Sequence, residues 1–213
     1  MSPLYRDTVW VELGAEQIAV TRRAGWMSRS VSHAQTYPVS TSSEATIAER
    51  SRVSLEVLQT ALADSRWQAA RARVTLTNAL VRYCIVPASD QTTGIPEEHS
   101  LAQTRLQQVH GTAGPRLEVR LSNPLSGRDQ LAAGLDSSLL SELMSLLSRA
   151  RLRVLSIEPL LVHAFNRIRP RIAAQDFMFA CVERGMLGLG CVRSGGWQSL
   201  DLSMFRGEAL DAL

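Results

Sequence analysis

The stretch VELGAEQIAVTRRAGW at residues 11–26 returns 171 positions later as VERGMLGLGCVRSGGW at residues 182–197. The two stretches align without a gap and match at six of sixteen positions. Each predicts a short apolar strand, a glycine just after a glutamate, a second apolar strand and a Gly-Trp turn. Glycine supplies the positive φ that a tight hairpin turn requires. Only two copies occur, which indicates a duplicated β-meander rather than a solenoid, with Trp26 and Trp197 in equivalent positions.

The rest of the chain predicts alternating helices and strands. Further strands are predicted at Thr8–Leu13, Gln17–Arg22, Ser30–Val39, Val74–Thr77, Leu80–Val86, Leu117–Leu121, Arg153–Ile157, Phe177–Val182, Met186–Val192 and Ser199–Met204. Helices are predicted from Ser54 to about Ser65, from Pro96 to His110, after Asp136, and from Glu158 until Pro170 closes the last one. Ser40–Arg52 is predicted to be a loop. A chain that has strands at both ends, with helices and strands alternating between them, is typical of a mixed α/β fold.

Composition excludes several classes of protein. All 23 cationic side chains are arginine, so a Walker lysine, a Schiff-base lysine and a kinase lysine are absent. The net charge of +3 does not favour a nucleic-acid partner. No apolar run reaches the roughly 20 residues of a spanning helix, and the N-terminus does not have the pattern of a signal peptide. Three cysteines in apolar stretches favour reduced thiols in the cytoplasm.

Few side chains have the spacing of a reactive site. The four histidines (His33, His99, His110 and His163) are not spaced as metal ligands, and no Gly-x-Ser-x-Gly elbow supports a serine hydrolase. We therefore expect no bound metal and no catalytic residue. Arg151 and Arg153, and further on Arg167 and Arg169, lie in two arginine clusters. These clusters are either solvated surface or a basic face for an anionic partner.

Three segments, Val74–Pro87, Leu152–Ile168 and Phe177–Trp197, together resemble the PilM and GspL group of actin-like proteins. That group acts on the cytoplasmic side of type IV pilus and type II secretion platforms. The resemblance implies an actin-like (ribonuclease H-like) α/β fold with a mixed sheet and flanking helices. It places a first lobe at residues 1–172, with an inserted α/β subdomain at about 88–150. The opening meander of a second lobe follows at 173–213, and the adenosine-holding part of that lobe is expected to be absent.

The same resemblance identifies two degenerate phosphate hairpins. They carry Glu12 with Gly14 and Glu183 with Gly185, where actin-like ATPases have Asp-x-Gly. The residues after the glycines also depart from the ATPase pattern: they are Ala15, Glu16, Met186 and Leu187. An acid beside a triphosphate costs about 1 kcal/mol even at a solvent-like dielectric constant. No cofactor is therefore expected, and ATP is expected to bind no tighter than about millimolar.

The function implied by the resemblance is that of a non-catalytic cytoplasmic adaptor. It would hold the cytoplasmic tail of an inner-membrane pilus or secretion protein, with Arg151, Arg153, Arg167 and Arg169 contributing charge. Its attachment to the inner membrane would be peripheral, through that protein, without inserting into the bilayer. A homodimer remains open. The alternatives are a small actin-like ATPase that retains nucleotide binding and an adaptor unrelated to secretion.

Overall fold

The computed structural model describes residues 7–24, 30–42, 45–88, 95–111, 116–122, 128–172 and 176–204. The strands are β1 (Thr8–Leu13), β2 (Gln17–Arg23), β3 (Val31–Pro38), β4 (Arg71–Leu76), β5 (Val81–Val86), β6 (Leu117–Leu121), β7 (Gln130–Asp136), β8 (Arg153–Pro159), β9 (Phe177–Glu183), β10 (Met186–Arg193) and β11 (Gly196–Met204). The helices are α1 (Ile47–Leu62), α2 (Ile95–His110), α3 (Ser137–Arg149) and α4 (Leu160–Ile172). Two compact units result: unit 1 contains Met1–Leu80 and Ser138–Leu160, and unit 2 contains Val81–Ser137 and Leu161–Leu213.

Unit 1 is built on a mixed five-stranded sheet with the strand order β3-β2-β1-β4-β8. β1 is antiparallel to β2 and parallel to β4, which in turn is parallel to β8. In β1 the buried Val9, Val11 and Leu13 alternate with half-buried residues, because successive side chains of a strand point to opposite faces. The sheet therefore has one fully buried face and one partly open face, and Trp10 and Glu12 lie on the open one.

Helix α1 begins well before the predicted position. The hydroxyl of Thr46 accepts a hydrogen bond from the backbone N–H of Glu49, and the Glu49 carboxylate accepts one from the backbone N–H of Thr46. This capping box satisfies two backbone donors at the helix start. The loop predicted over Ser40–Arg52 is therefore wrong at its C-terminal end. Ser54, where the helix was predicted to begin, is a buried residue inside it, and its hydroxyl donates to the carbonyl of Gly14 at 2.8 Å.

Helix α3 is the apolar helix predicted after Asp136. It buries four leucines at helical spacing, Leu139, Leu143, Leu146 and Leu147. Arg151 then adopts a left-handed φ of 57°, and the chain turns back into the sheet as β8. The left-handed conformation is costly for a side chain with a Cβ atom, and glycine usually takes this position after a helix.

One part of unit 2 is the antiparallel sheet β5-β7-β6, against which α2 packs. Its core consists of Cys84, Val86, Ala102, Leu106, Val119 and Ala132. The central strand β7 was not predicted, because Gln130–Asp136 neither alternates nor contains a β-branched residue. A Cβ atom at Gly134 would lie 3.0 Å from Leu106 and 3.1 Å from Leu117. Small residues in β7 therefore let the neighbouring leucines pack closely against its backbone.

The other part of unit 2 is the antiparallel meander β11-β10-β9. Phe165 of α4 lies among three aromatic rings, with centroid distances of 6.1 Å to Phe177, 5.9 Å to Phe179 and 4.7 Å to Trp197. Trp197 is only 5% exposed. This aromatic cluster fixes the inner face of the meander against α4.

The remaining predicted strands and helices are present, with bounds that differ by a few residues. At Pro170 the prediction was wrong, since α4 continues through it to Ile172. Proline removes one backbone donor, but its fixed φ is helical, so the last turn can continue.

Both copies of the repeated stretch form antiparallel meanders, and the mixed α/β class is confirmed. Trp26 lies outside the described residues, so its predicted equivalence to Trp197 stays a prediction. The division into a lobe at 1–172, with an insertion at about 88–150, and a second meander at 173–213 also stays a prediction.

Candidate functional site

The first predicted phosphate hairpin is the β1–β2 turn of unit 1. The backbone N–H of Gly14 donates to the carbonyl of Gln17 at 3.1 Å, and a Cβ atom at Gly14 would lie 2.7 Å from that oxygen. The φ of Gly14 is not positive, so the prediction of a left-handed glycine is wrong here. The close approach of the Gln17 carbonyl is what excludes a side chain. The amide of Gly14 is thus used inside the hairpin rather than turned toward a phosphate oxygen.

The second predicted hairpin is the β9–β10 turn of unit 2. Glu183 pairs with Met186 across a two-residue turn, and Gly185 has the predicted positive φ, 74°. Burial raises the pKa of Tyr83 in β5, and the negative charge of Glu183 raises it further. The Glu183 carboxylate therefore lies within electrostatic range of a buried phenol. Sequence reasoning missed this neighbour because Tyr83 is far away along the chain.

The two hairpins differ in register. Leu13 pairs with Ile18 in the first, whereas Glu183 pairs with Met186 in the second. Once the 171-position offset is applied, the second turn is centred two residues earlier than the first. The aligned residues also differ in burial, since Val11 is 2% exposed and Val182 is 54% exposed. Gly14 and Gly185 align in sequence, yet they occupy different positions in their turns.

Around Trp10, the open face of the sheet in unit 1 carries a cluster that the sequence analysis missed. The guanidinium carbon of Arg23 lies 4.6 Å from the Trp10 ring centroid, and that of Arg73 lies 5.5 Å from it. Arg73 also donates to the Ser156 hydroxyl at 3.2 Å. Both arginines reach Trp10 because β1 lies between β2 and β4 in the sheet. Such cation–π contacts hold guanidinium groups in place while their N–H edges can still bind carboxylates.

The four arginines predicted to bind a partner lie on two different elements. Arg151 and Arg153 are exposed at the α3–β8 junction of unit 1, and Arg167 and Arg169 are exposed on α4 in unit 2. Each pair can make rim contacts, which add little affinity when solvent surrounds them. A single basic face that combines both pairs stays a prediction.

A surface cleft of about 330 Å³ lies in unit 1. Its lining consists of Tyr37, Glu56, Val57, Thr60, Ala61, Asp64 and Arg66. The Tyr37 hydroxyl accepts a hydrogen bond from the indole N–H of the buried Trp67 at 3.0 Å, which fixes the Tyr37 ring at the cleft wall. The Arg66 guanidinium donates to Asp64 at 2.7 and 2.9 Å and holds the pKa of that carboxyl below its usual range. We refer to this preformed concavity as the Tyr37 cleft.

No group of three or more histidine, cysteine, aspartate or glutamate side chains that could hold a metal ion occurs within the described ranges. Among the helices described, none is long and apolar enough to cross a membrane.

The predicted actin-like fold is confirmed by comparison with solved structures. An actin-like protein of unknown function from Bacteroides thetaiotaomicron is similar over 99% of this chain and 74% of its own, with 12% identity and a TM-score of 0.57.

Within this fold the similarity extends to the PilM and GspL type, as predicted. A chain of the PilM–PilN type IV pilus biogenesis complex matches 96% of this chain, with 13% identity and a TM-score of 0.60. This chain spans 63% of that chain's length. The cytoplasmic domain of EpsL, an inner-membrane component of the Vibrio cholerae type II secretion system, matches 93% of this chain and 70% of its own, with 11% identity and a TM-score of 0.53. No family model and no curated protein matches the sequence.

Proposed function

We propose that this protein is a non-catalytic adaptor of a type IV pilus or type II secretion platform. It binds the cytoplasmic tail of an inner-membrane partner and is held at the cytoplasmic face of that membrane by the partner. The likeness in fold to PilM and to the cytoplasmic domain of EpsL suggests the system. The observation that carries the binding role is the edge strand β3, which pairs only with β2 in the described part of the chain and contains Tyr37 of the Tyr37 cleft.

β3 is an outer strand of the sheet in unit 1, and residues 31–36 are all exposed. An edge strand presents a row of backbone N–H and C=O groups that an extended peptide can pair with. A bulge at Ser32 and a proline at Pro38 bound the regular stretch His33–Tyr37. The paired length is therefore short, which suits a tail segment of about five residues.

The Tyr37 cleft adds a side-chain pocket to this edge. The rings and methyl groups of Tyr37, Val57 and Ala61 give it an apolar lining, and Glu56 and Asp64 give it acidic groups. Strand addition gains affinity from main-chain hydrogen bonds and specificity from pockets for alternate side chains. We expect the bound segment to place one large apolar residue in the cleft.

Both hairpins support the non-catalytic part of the proposal. The Gly14 amide is used within its own turn, and the Glu183 carboxylate lies near the buried Tyr83. Hydrophobic Met186 and Leu187 follow the second glycine. Catalysis of phosphoryl transfer depends on preorganised donors and cations around the phosphate, and the described hairpins provide few of them.

The test uses synthetic peptides that match the cytoplasmic tails of single-pass membrane proteins encoded by neighbouring genes. Fluorescence anisotropy should detect micromolar binding of one of them. Thr60→Trp should fill the cleft and weaken that binding at least tenfold. The control is Thr104→Trp, since Thr104 is also an exposed helix residue whose hydroxyl donates to the carbonyl four residues earlier.

The proposal fails if no tail binds, or if the two tryptophan variants bind a tail equally well. Membrane fractionation with and without the partner tests the attachment. Should the protein reach membranes without the partner, the adaptor role is wrong.

A further inference from the structure

Strand β9 forms one edge of the meander in unit 2, and its outward side chains are apolar. Met178 is 77% exposed and Val182 is 54% exposed, with the exposed Ala180 between them. The side chains of Phe179 and Cys181 point the other way and are buried. Phe179 packs against Phe165 of α4, so this edge is held in place by its own core. An exposed apolar edge of this kind is a ready template for another strand.

Among the edge strands of the three described sheets, β9 has the weakest protection against such pairing, since its one charged residue is Glu183 at the hairpin end. From Phe177 to Val182 it has no charge and no proline, and its pairing with β10 has no bulge. The other five edge strands carry a bulge, a proline or a charge: β3 has a bulge and Pro38, β8 has a bulge and Arg153, β11 has a bulge and Asp201, β5 has Arg82, and β6 has Glu118. The contrast marks β9 as an edge built for pairing.

The repeat indicates what β9 lacks. β9 has the place in its meander that β1 has in the first one, and the outer side of β1 is paired with β4 along its whole length. Within the described residues, β9 pairs only with β10. Among the residues that the structure describes, the same position in the repeated unit therefore takes a strand in one copy and none in the other.

We propose that a second copy of this chain occupies that edge, with the two β9 strands antiparallel around a two-fold axis at Ala180. A two-fold interface is self-complementary, so each residue meets the one equally far on the other side of the axis. Met178 then lies opposite the partner's Val182, and Phe179 lies opposite the partner's Cys181. The two meanders join into one six-stranded sheet.

Charge selects this register. With the axis at Ala180, Asp176 lies opposite the partner's Arg184 at both ends of the paired strands, and the apolar residues fill the centre. Glu183 lies opposite the partner's Phe177, so no like charges face each other. Opposite charges directly across an antiparallel pair stabilise it, whereas like charges destabilise it. A slip by two residues would move the axis off Ala180 and lose these ion pairs.

The first experiment measures the mass of the full chain by sedimentation equilibrium between about 1 and 100 µM. The wild type should form a dimer. Asp176→Arg and Arg184→Asp should each weaken it at least tenfold, because each places like charges opposite each other at both ends. An equimolar mixture of the two variants should restore the dimer, since opposite charges then meet again at both ends.

Asp176→Arg also removes the hydrogen bond that Asp176 accepts from the backbone N–H of Ser194 (2.7 Å), and this loss could weaken the fold of the variant. A second experiment therefore tests the interface by cross-linking and leaves Asp176 unchanged. In a Cys191→Ser background, Ala180→Cys should form a disulfide-linked dimer on mild oxidation, because directly opposed residues lie about 4.5–5.5 Å apart. The control is Ser203→Cys, an exposed position on β11, and it should stay uncrosslinked.

The proposal is overturned by a wild type that stays monomeric at 100 µM. It is also overturned by a mixture that fails to recover the dimer although each variant is folded by circular dichroism. Cross-linking through Ser203→Cys but not through Ala180→Cys would assign the contact to another surface. If β9 instead pairs with a strand of a different protein, the wild type alone should stay monomeric at 100 µM.

Discussion

Replacing Gly190 with alanine tests the packing of the second meander, since Gly190 lies against the ring of Trp197. A Cβ atom at Gly190 would be 2.6 Å from Cζ3 of that ring, which is closer than real Cβ contacts allow. The ring cannot simply rotate away, because its centroid is 4.7 Å from that of Phe165. We expect Gly190→Ala to lower the free energy of unfolding by about 1–3 kcal/mol, as overpacked core substitutions do.

Because of this clash, the cost of Gly190→Ala depends on whether the Trp197 ring is present. Trp197→Ala alone should cost about 3–5 kcal/mol, because a large buried ring leaves a cavity. Once the ring is absent, the extra methyl group at Gly190 has room and fills part of that cavity. The double variant should therefore cost no more than Trp197→Ala alone, which gives an interaction free energy of about 1–3 kcal/mol.

Urea unfolding followed by far-UV circular dichroism gives the four free energies of this cycle. The control is Gly188→Ala, whose added Cβ atom would meet Leu202 at 3.0 Å and Leu161 at 3.2 Å but not Trp197. Its effect should be the same, within about 0.5 kcal/mol, with and without the tryptophan. If Gly190→Ala costs the same in both backgrounds, the ring does not pack on the Gly190 backbone and the account of this core is wrong.

Three further outcomes are expected. Thr46→Ala should lower the free energy of unfolding by about 0.5–2 kcal/mol at pH 7, measured by urea unfolding. The hydrogen bond from the Thr46 backbone lowers the pKa of Glu49, so the stabilisation that this carboxylate contributes is present above its unfolded pKa and is lost as the pH falls through the folded value. Thr46→Ala keeps that backbone donor, so Glu49→Ala tests the pH dependence: it should cost less stability at pH 3 than at pH 7, and an equal cost at both would contradict the capping box. Burial raises the pKa of the Cys84 thiol to about 11, so iodoacetamide at pH 8 should label the half-exposed Cys191 well before Cys84, which peptide mass spectrometry can follow. Calorimetry with ATP and Mg²⁺ should give a Kd no tighter than about 1 mM, near −4 kcal/mol, and micromolar binding would instead support the alternative of a small ATPase.

Sequence patterns predicted the fold where local chemistry and tertiary structure agree. The strands at Thr8–Leu13 and Leu117–Leu121 have the predicted bounds, and the leucines of α3 have the predicted helical spacing. The capping box at Thr46 and Glu49 was missed, although its signature is present in the sequence. The polar residues that follow Glu49 favoured a loop, and the stabilisation of that part of α1 by its cap is not visible in apolar periodicity.

Other features depend on contacts between residues far apart in the chain. Strand β7 is specified by its place between β5 and β6 rather than by its own propensity, since Gly134 and the alanines beside it are poor strand formers. Trp10 meets Arg73 only because β1 and β4 are parallel neighbours. The position of a hairpin turn is also a tertiary property, and a gapless alignment of the two copies could not reveal that the second turn is centred two residues earlier.

Each compact unit combines two separate stretches of the chain, and this affects how the protein can fold while it is synthesised. Strand β4 leaves the ribosome long before its neighbour β8, which at about 5–20 residues per second arrives several seconds later. During that interval the sheet of unit 1 has an uncovered parallel edge, and the strands of unit 2 begin to emerge before unit 1 is complete. The nascent chain must therefore keep apolar strands unpaired for seconds, which is when a ribosome-bound chaperone would have most to protect.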